Sequence, residues 1–274
     1  MKADEPDDAL RNIIVRIPTL LEETDKNVKT FVELGIMADD ACYALLFRYQ
    51  EIDKKLDFWH ATWADNPRLY WPDTLLAPID DTRDDYFDTD LSFPSLLTAQ
   101  MMTSYWSSRA LIQDAMETIL RTIRDSQIRE HTVELGDGRF RVVRPVPTTS
   151  FSIEIEGQAE PISISGCNDL AIHYANLVCR SVRFSTALDH QFMGIQATSQ
   201  PLWLAQQIFR GRDAAKSAWC LRFSKIIATR GLGMMERISN DFNFNDYARS
   251  TKPCLGDISE TEVFDVSDDP APDI

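Results

Sequence analysis

A chain of 274 residues with 44% apolar content, six Trp and fourteen Phe carries enough greasy surface to fill a sizeable core. No apolar run is long enough to cross a bilayer, and the opening Met1-Lys2-Ala3-Asp4-Glu5-Pro6 resembles neither a secretory signal nor a transit peptide, so a nuclear or cytoplasmic protein without membrane contact is expected. The net charge of −15 is concentrated in residues 1–8 (four acids, one base), 80–90 (six Asp, one Arg) and 255–274 (seven acids), and setting these aside leaves 26 acids against 26 bases. A near-neutral body lacks the basic face of a nucleic-acid binder, so direct DNA contact is disfavoured.

Taken in chain order, the acidic residues 1–8 read as a disordered N-terminus. An opening helix over 7–17 is followed by a second over 19–34, with Pro18 suited to its first position and Gly35 as its stop. Cys42, Leu45, Tyr49, Ile52, Leu56, Trp59 and Trp63 then recur at steps of three and four, the mark of a helix laid against another. Asp39 or Asp40 can cap its start, and Asn66-Pro67 ends it. Residues 67–92 form a connector without sustained period. Pro94 opens the longest predicted helix, 94–126, with Leu97, Met101, Tyr105, Ile112, Met116, Ile119 and Ile123 along its inner face.

Residues 131–167 interrupt this pattern as an insert or linker. Short alternating runs flank Gly136-Asp137-Gly138, and a second pair (Phe151 to Ile155, Ile162 to Ile164) flanks Gly157, which suggests hairpins in a partly ordered insert. Helices resume with Asn168 as cap and Leu170, Tyr174, Leu177, Val178 and Val182 inward. Pro201 starts another helix, and 212–230 forms a third with Ala215, Trp219, Phe223, Ile226 and Ile227 on one side. Arg230-Gly231-Leu232-Gly233 supplies a glycine stop, a last helix covers 234–245, and residues 247–274 read as an acidic disordered tail. The prediction is an all-α fold of seven to nine mostly antiparallel helices, in two halves (9–130 and 168–246) packed on each other, with a short β or irregular insert near 131–165.

Chemistry-bearing motifs are sparse. Cys42, Cys167, Cys179, Cys220 and Cys254 are odd in number and show no metal-ligand spacing, and most fall in apolar helical patterns where a thiol packs as a small hydrophobe. His60, His131, His173 and His190 do not pair with one another or with a Glu at ligand spacing. Asp80-Asp81-Thr82-Arg83-Asp84-Asp85 resembles the aspartate-rich box of class I terpene synthases, in which hard carboxylate oxygens hold Mg²⁺ against a diphosphate. That makes Asp80, Asp81, Asp84 and Asp85 candidate Mg²⁺ ligands, but the second box such a site needs is missing its pattern at Asn240-Asp241 through Asp246, and a solvated acidic loop is the expectation. There is no nucleophile elbow, dinucleotide turn or phosphate loop, so no catalytic residue is assigned and no cofactor is implied. Arg180, Arg183, Arg222, Lys225 and Arg230 read mainly as outward-facing.

Three patches carry a family likeness. The first is Leu69-Tyr70-Trp71-Pro72 with Phe87 and the stretch Leu91-Ser92-Phe93-Pro94-Ser95-Leu96-Leu97-Thr98-Ala99-Gln100 running on to Tyr105-Trp106. The second is Leu177 to Phe184 with Met193-Gly194 and Pro201-Leu202-Trp203, and the third is Ala218-Trp219-Cys220 with Ile226 and Arg230-Gly231-Leu232. In order and spacing these resemble the C-terminal regulatory domain of fungal zinc-cluster transcription factors over residues 10–240. The resemblance implies a helical regulatory fold; the six-cysteine, two-zinc reader that such proteins place in the major groove is not among these 274 residues.

Two functions are therefore expected. One is a regulatory or ligand-sensing domain, associated with secondary metabolism, that works through a protein partner or small apolar ligand. The alternative is a cofactor-free biosynthetic enzyme, a cyclase or isomerase, which needs only an apolar pocket and one or two hydrogen-bond donors. Trp59, Trp63, Trp71, Trp106, Trp203 and Trp219 are candidates to line such a pocket.

Overall fold

The computed structural model describes residues 6–34, 39–64, 69–73, 86–87, 89–127, 131–134, 140–143, 152–153, 161–230 and 232. The four candidate Mg²⁺ aspartates, the helix expected over 234–245 and the acidic tail lie outside the described residues. The elements run α1 (Pro6–Ile14), α2 (Ile17–Leu34), α3 (Asp39–Ala64), β1 (Trp71–Asp73), β2 (Asp90–Ser92), α4 (Leu96–Gln127), β3 (His131–Glu134), β4 (Phe140–Val143), β5 (Ser152–Ile153), β6 (Ile162–Ser163), α5 (Ile164–Ser185), α6 (Gln191–Phe209) and α7 (Ala214–Thr229). The class is all-α. The strands form three separate two-stranded antiparallel ladders, β1 with β2, β3 with β4 and β5 with β6. Among the described residues no helix is long and apolar enough to cross a membrane.

The longest helix, α4, is the hub. It packs most heavily on α5 and also on α3, α6, α2 and α1, so the stretches before and after the insert share one core. Its neighbours bury Met102, Trp106, Ile112, Ile119 and Ile123 against Leu46, Tyr49 and Leu56 of α3 and against Val178, Val182, Leu202 and Phe209. Aromatic rings seal the β1–β2 end. Tyr70 meets Trp106 edge-on at 5.0 Å, Phe93 meets Phe184 at 5.1 Å, and Phe87 lies 4.9 Å from Trp219 of α7. Arg180 of α5 donates through Nε to the Thr89 carbonyl at 2.6 Å and Arg183 pairs with Asp90 at 3.5 Å, so two cations read as outward-facing instead fasten β2 to the bundle.

Several sequence expectations need correction. α1 begins at Pro6 and so takes in Asp7 and Asp8, whose charges suit the positive end of a helix. Pro94 precedes α4, and the Ser95 hydroxyl accepts the Thr98 N–H at 3.1 Å in the capping role. Asn168 lies inside α5, which starts earlier because Ser163, not Asn168, accepts the Gly166 N–H at 3.0 Å. Pro201 lies within α6 and does not start it. A proline there forfeits one helical hydrogen bond, and burial of Leu202, Leu204, Ala205, Ile208 and Phe209 offsets that loss. Leu97, Leu170 and Ala215, expected inward, are exposed. Each sits within two turns of a helix start, where the neighbouring helix no longer covers that face.

Two glycines shape the α5–α6–α7 turns. A Cβ on Gly194 would lie 1.8 Å from the Ser185 carbonyl oxygen, so the α6 start and the α5 end approach more closely than any side chain permits. Gly211, at φ 74°, takes the left-handed conformation that closes α6, and Asp213 then accepts the Lys216 N–H at 3.0 Å to open α7.

Candidate functional site

Along α4, Tyr105, Arg109, Gln113, Glu117 and Arg121 recur at every fourth residue. In a helix such a row drifts by about 40° per step and runs about 18 Å from residue 105 to residue 117. It begins facing α3 and α5 and ends facing the α6–α7 turn. Tyr105, Arg109, Gln113 and Glu117 are all buried. A row of this polarity ordinarily faces water; here it lies inside the bundle because α4 is surrounded.

At the α3 end the Arg109 guanidinium is the centre. Its Nη2 donates to Asp53 Oδ2 at 2.9 Å and to Asp57 Oδ2 at 3.3 Å, its Nη1 donates to Asp57 and, at 3.0 Å, to the Tyr105 hydroxyl. Nε lies 2.8 Å from Asp53 Oδ1, but off the line of a hydrogen bond, so both atoms keep unused hydrogen-bonding capacity. Gln113 Nε2 donates to Asp53 Oδ2 at 3.1 Å. The Tyr174 ring of α5 covers the guanidinium with its centre 4.9 Å away, and His60 stacks on Tyr105 at 5.1 Å. The side chains of Arg109, Asp53 and Asp57 are 7%, 18% and 60% exposed, so the cluster rises from the core to the surface at Asp57.

Burial pushes the Asp53 carboxyl above its ordinary range, although Arg109 and Gln113 pull the other way. Burial likewise raises the phenols of Tyr105 and Tyr174 and lowers His60. The result is a buried carboxyl group whose charge is opposed by burial and supported by Arg109 and Gln113, with the Tyr105 hydroxyl and the Tyr174 ring against the guanidinium.

The other end of the row is a closed network. Arg212 reaches back from the α6–α7 turn to Glu117, to Asp114 at 2.5 Å and, through Nη1, to the Ile208 carbonyl at 2.8 Å. Arg121 Nε donates to Glu117 at 2.6 Å. Burial alone would raise Glu117, but Arg212 and Arg121 overcome it and hold the carboxyl below its usual range. Cys167 senses both ends: burial first, then Glu117 and Asp53, push its thiol up to about 12. Such a thiol is a packing group rather than a nucleophile.

The other sequence candidates do not converge on this site, His60 and Trp59 excepted. His173 lies 5.3 Å from the Tyr174 ring, while His190 contacts the Phe184 carbonyl through Nδ1 at 2.7 Å, far along the chain from Asp53. Cys179 and Cys220 touch at 3.5 Å between Sγ atoms, as buried thiols joining α5 to α7. Trp59, Trp106 and Trp219 are core and Trp63 and Trp203 are partly buried against it; the Trp71 side chain lies outside the described ones, and Trp59 adjoins the cluster, 5.4 Å from Tyr105. Among the described residues no group of three His, Cys, Asp or Glu could hold a metal ion. Asp53, Arg109, Gln113 and Tyr174 were not singled out as a polar set by the sequence; the available signal was the four-residue step of polar side chains on α4, opposite Asp53 and Asp57 at the same step on α3.

No protein-family model, curated protein or solved structure matches the chain.

Proposed function

We propose that these residues act as a regulatory or ligand-sensing domain of the fungal zinc-cluster transcription-factor type, associated with secondary metabolism, in the nucleus or cytoplasm. The domain responds to a small apolar ligand with a polar head, or to a protein partner, and does not itself grip nucleic acid. One observation carries this reading: the Asp53–Arg109–Gln113 cluster buried at the junction of α3, α4 and α5. Buried ion pairs are poor stabilisers, because desolvation cancels most of their attraction. Their place at a three-helix junction instead suits a recognition element, where a ligand's polar head exchanges hydrogen bonds with Asp53 and Arg109 and its apolar body lies on Trp59, His60 and Tyr174. Engagement of arginines elsewhere supports the second clause, since Arg48, Arg121, Arg124 and Arg212 are each paired with carboxylates.

The second reading is the cofactor-free cyclase or isomerase, pericyclic catalysis included. The buried set of Asp53, Arg109, Gln113 and Tyr105 favours it, since such a reaction needs only a few fixed hydrogen-bonding groups beside apolar walls. The metal-dependent terpene-cyclase version rests on Asp80, Asp81, Asp84 and Asp85 alone, and unchanged turnover after their replacement by Asn eliminates it.

The deciding experiment replaces the whole cluster (D53L/R109M/Q113M) in the source organism and compares transcripts and metabolites with a deletion strain. Loss of pathway transcripts in both strains is the expected result. Accumulation of one intermediate with transcripts intact gives the enzyme reading. A cluster variant indistinguishable from wild type overturns both. Sequence-specific retardation of promoter fragments by the purified chain would remove the second clause.

A further inference from the structure

We propose that the outer face of α3 is a self-association surface, on which a second copy of this chain docks antiparallel. The inner face of α3 is spent on the core through Leu45, Leu46, Tyr49, Ile52 and Leu56. Its outer face should then be polar, yet Tyr43, Phe47 and Phe58 stand in water, Phe58 with 75% of its surface exposed. At 100° per residue, positions 43, 47, 54 and 58 fall within about 60° of arc and extend for about 22 Å. Three aromatics and Lys54 therefore make one stripe.

The spacing of that stripe identifies its occupant. Tyr43 and Phe58 lie symmetrically about a point between residues 50 and 51, and so do Phe47 and Lys54. An antiparallel copy related by a two-fold axis at that point brings Tyr43 onto Phe58 of its mate and Lys54 over the Phe47 ring of its mate, twice each. Aromatic packing and cation–π attraction are thus satisfied by the chain's own complement, as a closed two-fold interface requires. Glu51, half-buried next to the axis, falls beside Gln50 of its mate, the two Glu51 side chains flanking the axis on opposite sides with Lys54 and Lys55 of both copies within a turn to offset the like charge. Arg48 is already tied to Glu23 and stays out of the contact. A stripe one helix wide covers less than the ~800 Å² per partner of a standard interface, so the dimer is transient, with a dissociation constant on the order of micromolar to tens of micromolar.

Sedimentation velocity on the full chain tests this. From low concentration to about 200 μM, well above a micromolar constant, the species should move from the 31.3 kDa monomer toward twice that mass. F47E/F58E, confined to exposed positions, should weaken association at least tenfold, and K54E should weaken it while the exchange E51K/K54E recovers part of the loss. Near the axis, E51C should form a disulfide-linked dimer under mild oxidation, whereas K225C on the outer side of α7 should not. A monomer throughout the range overturns the proposal, whether the stripe is then bare or covered by residues beyond 232. Equal cross-linking of E51C and K225C, or a dimer indifferent to F47E/F58E, overturns it as well.

Discussion

Replacing Arg109 with Met isolates the energetics on which the functional proposal rests. The substitution keeps the length and apolar stem of the side chain but removes the cation, leaving Asp53 buried with one amide donor, Gln113. With side chains 7% and 18% exposed, Arg109 and Asp53 behave as a buried pair, whose disruption costs about 3–5 kcal/mol. Asp57, 60% exposed, falls back into water and adds no more than about 1 kcal/mol. Against a total stability of about 5–15 kcal/mol, R109M should lower the urea midpoint by roughly 2 M at a slope of about 2 kcal/mol per molar. The triple variant D53L/R109M/Q113M removes the orphaned partners too, and should return to within about 1 kcal/mol of wild type. Urea titrations followed by tryptophan fluorescence read both, since Trp59 lies 5.4 Å from Tyr105 beside the cluster. If the triple variant is as unstable as R109M, the cluster is a structural device, and the argument that it is retained for recognition fails.

Glu117 is held below its ordinary pKa of 4.5, so its contribution is present above that value and fades as pH falls through the folded pKa. E117Q should thus trail wild type by about 3 kcal/mol at neutral pH, with the gap closing in acid. Asp53 has the opposite sign: its raised pKa makes ionisation a cost, absent below the ordinary 3.8 and complete above the folded pKa. D53N should accordingly gain on wild type as pH rises through that window, and parallel pH–stability curves for the two variants would contradict both assignments. G194A drives a Cβ into the Ser185 carbonyl and should cost more than about 3 kcal/mol in thermal melts. G211A, strained only by its positive φ, should cost about 1 kcal/mol, and G211N less.

What the sequence disclosed and what it concealed have separate physical origins. A helix covered on one side writes a clean period, which is why Cys42, Leu45, Tyr49, Ile52, Leu56 and Trp59 define α3 on sight. The paired strands of the insert were legible only as one of two readings, hairpins or a linker, because short alternating runs about a glycine also suit an irregular connector. Boundaries were lost where tertiary burial outweighs a local signal, as at Pro201, where the apolar side chains after the ring keep α6 continuous. The cluster was concealed by a more general cause. A helix buried on every side has no solvent face, so polar residues on it carry the usual mark of exposure while pointing at partners from distant segments. Asp53 and Arg109 are 56 residues apart, and neither position alone signals the other.

That same row anchors two different parts of the fold. Arg109 and Glu117 are two turns apart on one helix, yet Arg109 holds α3 while Glu117 holds the turn between α6 and α7 through Arg212. The two ends are shifted in opposite directions: burial raises the pKa of the Asp53 carboxyl, while Arg212 and Arg121 hold that of Glu117 below its usual range. A ligand head that draws Arg109 away from Asp53 changes the charge on the α3 side of α4 without touching the α6–α7 clamp. The expected response is a shift of α3 against an otherwise fixed α4–α5–α6 core, which carries the outer stripe of α3 with it. Hydrogen exchange can separate this from a global loosening: on ligand binding, protection should change in α3 and remain constant in α6, and a uniform change across both helices would refute the hinge.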